Sequence, residues 1–183
     1  MNYSEFVYSR FKSGARILGD LDGLTADKAD DVMSRLHAAI GMVGEVRELR
    51  DATDNANAIE ELGDLLFYAM AFANTLEIDL PDELWGTVAV DAPIGCVHIE
   101  VMDQAAHTLL DLCKKETLYL KAIAEADFTG PLVVFLTVLS NICTLHGTTL
   151  GDVGQMNREK LETRYPTGYS NDAAQARADK AGE

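Results

Sequence analysis

The chain has 183 residues, 48% of them apolar and 25% charged, a balance that excludes wholesale disorder and leaves room for one well-buried domain. Fifteen Lys and Arg against thirty Asp and Glu give a formal charge of −15, which repels nucleic acid and anionic lipid surfaces. A small anion such as a nucleotide is compatible with that charge only where divalent cations or converging basic residues offset the carboxylates. Aromatic residues make up 7%, prolines number four, and Ala and Leu recur at spacings of three and four. The pattern predicts an all-α helical bundle.

From the N-terminus, Ser4 is placed to cap a short helix to about Lys12, which Gly14 and the stretch Gly19 to Gly23 interrupt. Thr25 opens a long helix to about Arg50, with Val32, Leu36, Ile40, Val43 and Leu49 on its apolar face. Asp51 to Asn57 reads as a turn. Asn57 followed by Glu60 reads as a capping box, and Ile59, Leu62, Leu66, Ala69, Ala73 and Leu76 form the next apolar face. Two helices joined by so short a turn are antiparallel neighbours. Glu77 to Gly95, with Pro81 and Pro93, is a linker or short-helix insert in which Trp85 serves as a hydrophobic anchor. Helical pattern resumes over 97–115, 116–126, 132–145 and 150–164, followed by a Pro166-Thr167-Gly168 turn and an Ala-rich tail.

The longest apolar runs, Leu65 to Leu76 and Leu132 to Leu139, fall short of the roughly 20 residues of a membrane span. The first five residues carry no basic segment followed by an apolar core. Cys96, Cys113 and Cys143 sit among apolar neighbours and read as reduced, buried thiols. The expected location is cytoplasmic.

The two halves read as related. Pro131 to Asn141 overlays Asp64 to Asn74, each following a Gly, and His107 to Leu112 overlays Gly44 to Leu49. The chain therefore divides into a first half (1–80), a linker (81–96), a second half (97–165) and a tail (166–183), a fused pseudo-dimer within one all-α domain.

Glu45 and Glu48 sit three apart near the end of one helix, and Glu61 and Asp64 sit three apart near the start of the next. Each spacing puts both carboxylates on one helix face, and antiparallel packing brings the two faces together. Four converging carboxylates suit Mg²⁺, which takes oxygen ligands and completes its shell with water and substrate phosphates. Gly44 and Gly63 flank them and remove side chains where two helices approach. No Glu is followed three residues later by His, which sets aside a di-iron carboxylate bundle. His37, His98, His107 and His146 lack zinc-ligand spacing.

The run His37-Ala-Ala-Ile-Gly-Met-Val-Gly-Glu45-Val-Arg-Glu48-Leu, then Glu60-Glu61-Leu-Gly-Asp64-Leu-Leu-Phe-Tyr68, resembles the MazG-like all-α nucleoside triphosphate pyrophosphohydrolases. The segment Asn157-Arg158-Glu159-Lys160-Leu161-Glu162-Thr163-Arg164-Tyr165-Pro166-Thr167-Gly168-Tyr169-Ser170 is similar to the block that closes many short members. The resemblance covers about half the chain and implies Mg²⁺, with Mn²⁺ as a substitute, at Glu45, Glu48, Glu61 and Asp64. It implies hydrolysis of a nucleoside triphosphate to monophosphate and pyrophosphate, with Glu45, Glu48 or Glu61 as general base. Lys160 and Arg164 share a helical face suited to bridging phosphate oxygens, Arg177 and Lys180 are placed to reach the same charge, and Tyr68 and Asn74 are candidates to touch base or sugar.

This sequence departs from the family pattern where Gly44 replaces the first of two adjacent glutamates, and where residues 77–149 separate the acidic helix from the Lys160 block. In the second half the positions overlaying the four carboxylates are Thr108, Asp111, Phe128 and Pro131, of which only Asp111 retains a ligand. A non-catalytic nucleotide-sensing or scaffold protein on the same fold is the alternative. Neither reading involves a nucleic acid polymer or a membrane, and a homo-oligomer is compatible with both.

Overall fold

Side-chain caps set most of the helix starts. Ser13, Thr25, Asp54, Thr149 and Ser170 each accept the backbone N–H three residues on, which satisfies a donor left without an intrahelical partner. The computed structural model describes residues 10, 12–78 and 96–177, with backbone only at 96 and 97. Within them run α1 (Gly14–Asp22), α2 (Ala26–Asp51), α3 (Asn55–Asn74), α4 (Cys96–Tyr119), α5 (Glu125–Leu145), α6 (Leu150–Arg164) and α7 (Asn171–Ala176). The fold is all-α. Thr149 and Asp152 form a reciprocal capping box at α6.

Several boundaries differ from the sequence reading, each for a local reason. The glycine stretch does not interrupt: α1 runs through Gly19, begun by the Ser13 cap and tied down by the Lys12–Asp20 ion pair at 2.6 Å. Most of the expected helix from Ser4 lies outside the described residues, as do Trp85 and most of the linker. The cap of α3 is Asp54, not Asn57, whose side-chain amide turns instead to Glu61. Residues 97–126 are not two adjoining helices, since α4 continues to Tyr119 and Leu120 (φ 50°) then reverses the chain in a left-handed conformation. Pro131 lies inside α5 instead of preceding it, where its missing N–H forfeits one bond in the first turns.

The helices pack as two hairpins, α2 with α3 and α4 with α5, joined mainly along α2 and α4, with α6 laid against α3. The core is continuous, from Met42, Val46, Leu62, Leu65 and Ala69 through Met102 and Leu109 to Phe128, Phe135, Leu139 and Val153. Phe72 and Phe128 meet edge to face at 5.7 Å in its centre. On α2 the buried face is Val32, Arg35, Ala38, Ala39, Met42, Val46 and Leu49, so Ile40, expected inside, is 55% exposed. At 21 residues, with mean hydropathy 1.8 over an 18-residue window, α5 has the length and composition to cross a membrane, which the shorter run Leu132 to Leu139 had concealed. Its buried Phe128, Leu132, Phe135, Leu136, Leu139 and Ile142 make it a core helix of this bundle. Cys113 and Cys143 are buried, which pushes both thiols up to about 12 and leaves them protonated and inert.

Arg35 explains the shifted face of α2. Its guanidinium donates from Nε and Nη2 to the two oxygens of Glu116 at 3.0 Å each and from Nη1 to the Thr75 carbonyl at 3.2 Å, while lying 5.6 Å from the centroid of the Phe128 ring. Lys28 adds a 3.2 Å bond to Glu116. One charged cluster thus ties α2, α3, α4 and α5 together in the interior.

Gly63 marks the closest approach of α3 to α6. A Cβ there would lie 3.1 Å from both the Asn157 Cβ and the Val153 carbonyl oxygen, so α3 and α6 would have to part by a few tenths of an ångström. Crowding of this kind costs about 1–3 kcal/mol against the roughly 1 kcal/mol that Ala gains over Gly in a helix, so Gly63→Ala is expected to lower stability by a net of up to about 2 kcal/mol in chemical denaturation.

Candidate metal centre

The turn Ala52–Asp54 is short enough that the end of α2 lies beside the start of α3, and three of the four expected carboxylates meet there. Glu45, Glu61 and Asp64 each offer an oxygen, and all three lie within 4.8 Å of one another. These are the hard oxygen donors that Mg²⁺ takes, and its bonds of about 2.0–2.1 Å require the three oxygens to draw closer together around it. Glu48 stands at the rim. It is exposed and, with Gly44, Arg47, Asp51, Asn57 and Glu61, lines a polar cleft of about 560 Å³.

Two amides that the sequence reading overlooked hold the carboxylates. Asn57 Nδ2 donates to Glu61 Oε1 at 2.8 Å, and Asn157 Nδ2, from α6, donates to Asp64 Oδ1 at 2.5 Å. Asn157 is buried, and its place three residues before Lys160 on one helix face was the signal available for it. Lys160 does not stand free for phosphate: its Nζ lies 2.5 and 2.6 Å from the two oxygens of Asp64 and 3.4 Å from Glu60.

Burial pushes Glu45 up to about 8, reinforced by the charges of Asp64, Glu48 and Glu61. Glu61 is raised for the same reasons, against the opposing hydrogen bond from Asn57. Burial also raises Tyr68, helped by Glu45 and Asp64. At neutral pH the cluster thus retains a proton that a cation must displace.

This gives a prediction for the metal-free protein. Because the folded-state value of Glu45 lies above its unfolded value, its contribution to stability is complete below about pH 4.5 and is lost as pH rises through about 8. Melting temperature without metal should fall between pH 5 and pH 9, and millimolar Mg²⁺ or Mn²⁺ should raise it most at the alkaline end. Differential scanning calorimetry with and without EDTA measures both.

Tyr68 lies one turn beyond Asp64, with its ring over Gly41 of α2. A Cβ at Gly41 would come within 2.4 Å of that ring, so this glycine, and not Gly44, makes room between α2 and α3; nothing lies within 4 Å of a Cβ at Gly44. His37 meets Tyr68 edge-on at 5.9 Å. Arg164 lies close enough for its charge to act on Tyr68, with its guanidinium 6.0 Å from the centroid of the Tyr165 ring.

Of the remaining candidates, one is placed away from the cluster. Asn74 is exposed at the last residue of α3, about 15 Å along the helix from Asp64 by helical rise. Arg177 is exposed at the end of α7 in a left-handed conformation, and Lys180 lies outside the described residues. In the second half, Phe128 at the position of Glu61 is core, and Asp111 is held down at about 2 by hydrogen bonds from Lys114 and Lys115. A separate, largely apolar cavity of about 660 Å³ lies between α3 and α6, walled by Leu66, Phe67, Met70, Leu161 and Tyr165.

Compared with known protein families, with characterised proteins and with solved structures, the chain shows no significant match.

Proposed function

We propose that this protein is a Mg²⁺-dependent pyrophosphohydrolase that cleaves a nucleoside triphosphate to the monophosphate and pyrophosphate. The observation that carries the reading is the convergence of Glu45, Glu61 and Asp64 on one point between α2 and α3. Three hard oxygen donors beside an open polar cleft favour a cation shared with phosphate over a closed structural site.

Glu45, Glu61 and Asp64 would hold the cation, with Glu48 at the rim able to join them. When bound, the cation would offset phosphate charge and lower the pKa of a bound water. Asn57 and Asn157 fix the carboxylate orientations, so little reorganisation is needed when substrate arrives. One of Glu45, Glu48 and Glu61 would accept a proton from the attacking water. Arg164, one turn beyond Lys160, supplies positive charge on the side of the substrate.

The two halves then divide the work as a fused pseudo-dimer, in which α4 and α5 pack against the first hairpin while Asp111 is occupied by lysines. Pyrophosphate release from a panel of ribo- and deoxyribonucleoside triphosphates with Mg²⁺ tests the reading. Turnover should disappear in Asp64→Asn and persist in Asp111→Asn. Nucleotide-induced thermal stabilisation without pyrophosphate release would instead establish the sensing or scaffold alternative.

A further inference from the structure

Lys160 is the one basic side chain that the described structure places directly on a carboxylate of the cluster, at 2.5 and 2.6 Å from the two oxygens of Asp64. Its side chain is 14% exposed, and Glu60 stands 3.4 Å away at the rim. We propose that the Lys160 ammonium is a tethered counter-ion for the metal-free cluster, exchanged at Asp64 for a divalent cation and thereby released toward the anionic substrate. The proposal rests on the metal-site reading above.

A cation that takes Asp64 as a ligand competes for the same two oxygens and brings a second positive centre against the ammonium, so both cannot keep full contact. Lysine suits such an exchange because its charge is a compact point on a flexible four-carbon stem, without the fixed two-pronged geometry that binds arginine to a carboxylate. Asn157 continues to donate to Asp64 Oδ1 at 2.5 Å, so the carboxylate stays oriented when the ammonium leaves. Glu60, one turn before Asp64, holds the released ammonium at the mouth, on the helical face that also carries Arg164. Metal loading thereby precedes and creates the basic phosphate contact, and in its absence the lysine offsets part of the cluster's charge.

Titration of Mn²⁺ alone, followed calorimetrically in wild type, Lys160→Met and Lys160→Arg, tests the exchange. Lys160→Met should bind Mn²⁺ about ten- to a hundred-fold more tightly, the range of a typical coupling between two ligands. Lys160→Arg, whose fork grips Asp64 more firmly, should bind Mn²⁺ no more tightly than wild type, and tighter binding there would also overturn the exchange. Equal or weaker binding in Lys160→Met, with Mn²⁺ still bound by wild type, would overturn the exchange while leaving the metal site standing. Mn²⁺ binding to neither protein would overturn the metal reading and the exchange with it. A second measurement needs no variant: amine acylation of Lys160 in wild type, read by mass spectrometry, should rise when Mn²⁺ is added and fall again with a nonhydrolysable nucleoside triphosphate. Labelling that does not respond to Mn²⁺ would equally overturn the exchange.

Discussion

Glu116→Ala is expected to destabilise the protein by about 3–5 kcal/mol, because it leaves the buried Arg35 guanidinium without its charge partner in the interior. For a chain of this size that corresponds to a drop in melting temperature on the order of 10 °C. Arg35→Ala should cost a similar amount through the orphaned Glu116 carboxylate, and it also removes the donor to the Thr75 carbonyl and the contact with Phe128. The double replacement Arg35→Met with Glu116→Leu should recover much of the loss, since an apolar pair of similar volume leaves no buried charge uncompensated. Urea denaturation of wild type and these three variants measures the losses and the recovery. Small losses in the two alanine variants, or no recovery in the apolar pair, would show that the ion pair is not the unit holding the hairpins together.

Glu61→Ala and Asp64→Ala should each reduce pyrophosphohydrolase turnover by on the order of a thousand-fold, the equivalent of several kcal/mol of transition-state stabilisation lost with the cation. Their effect on stability should have the opposite sign for Glu61. Removing its buried carboxylate relieves repulsion on Glu45, so metal-free Glu61→Ala should melt above wild type at pH 8. Asp64→Ala should show no such gain, because it also strands the Lys160 ammonium and the Asn157 amide. Glu48→Ala, at the exposed rim, should lose less activity than either. Circular dichroism, melting and initial rates on the same preparations separate these effects.

Much of the fold and all three clustered carboxylates were legible in the sequence, because both depend on local spacing. Thr25 and the recurrence of apolar residues set α2, and the i, i+3 pairs on α2 and α3 put carboxylates on facing surfaces. What local pattern does not carry is pairing between distant residues. Glu116 read as the start of a new helix because nothing near it shows that Arg35, 81 residues earlier, will meet it inside the core. Lys160 read as a phosphate contact for the same reason, since its partner Asp64 is 96 residues away. Glu48 and Glu45 look equivalent by spacing, and only the crossing of α2 over α3 separates the half-buried carboxylate from the exposed one. Asn57 was assigned to a cap because Asn is a favoured capping residue, whereas Asp54 three residues earlier took that place and freed its amide for Glu61.

The most direct test of the proposed activity is phosphorus NMR of a nucleoside triphosphate incubated with the protein and Mg²⁺. The account predicts that the triphosphate resonances are replaced by those of the monophosphate and pyrophosphate, and that Asp64→Asn or EDTA abolishes the change. Formation of diphosphate and orthophosphate, or triphosphate left intact by metal-loaded wild type across the nucleotide panel, would contradict it.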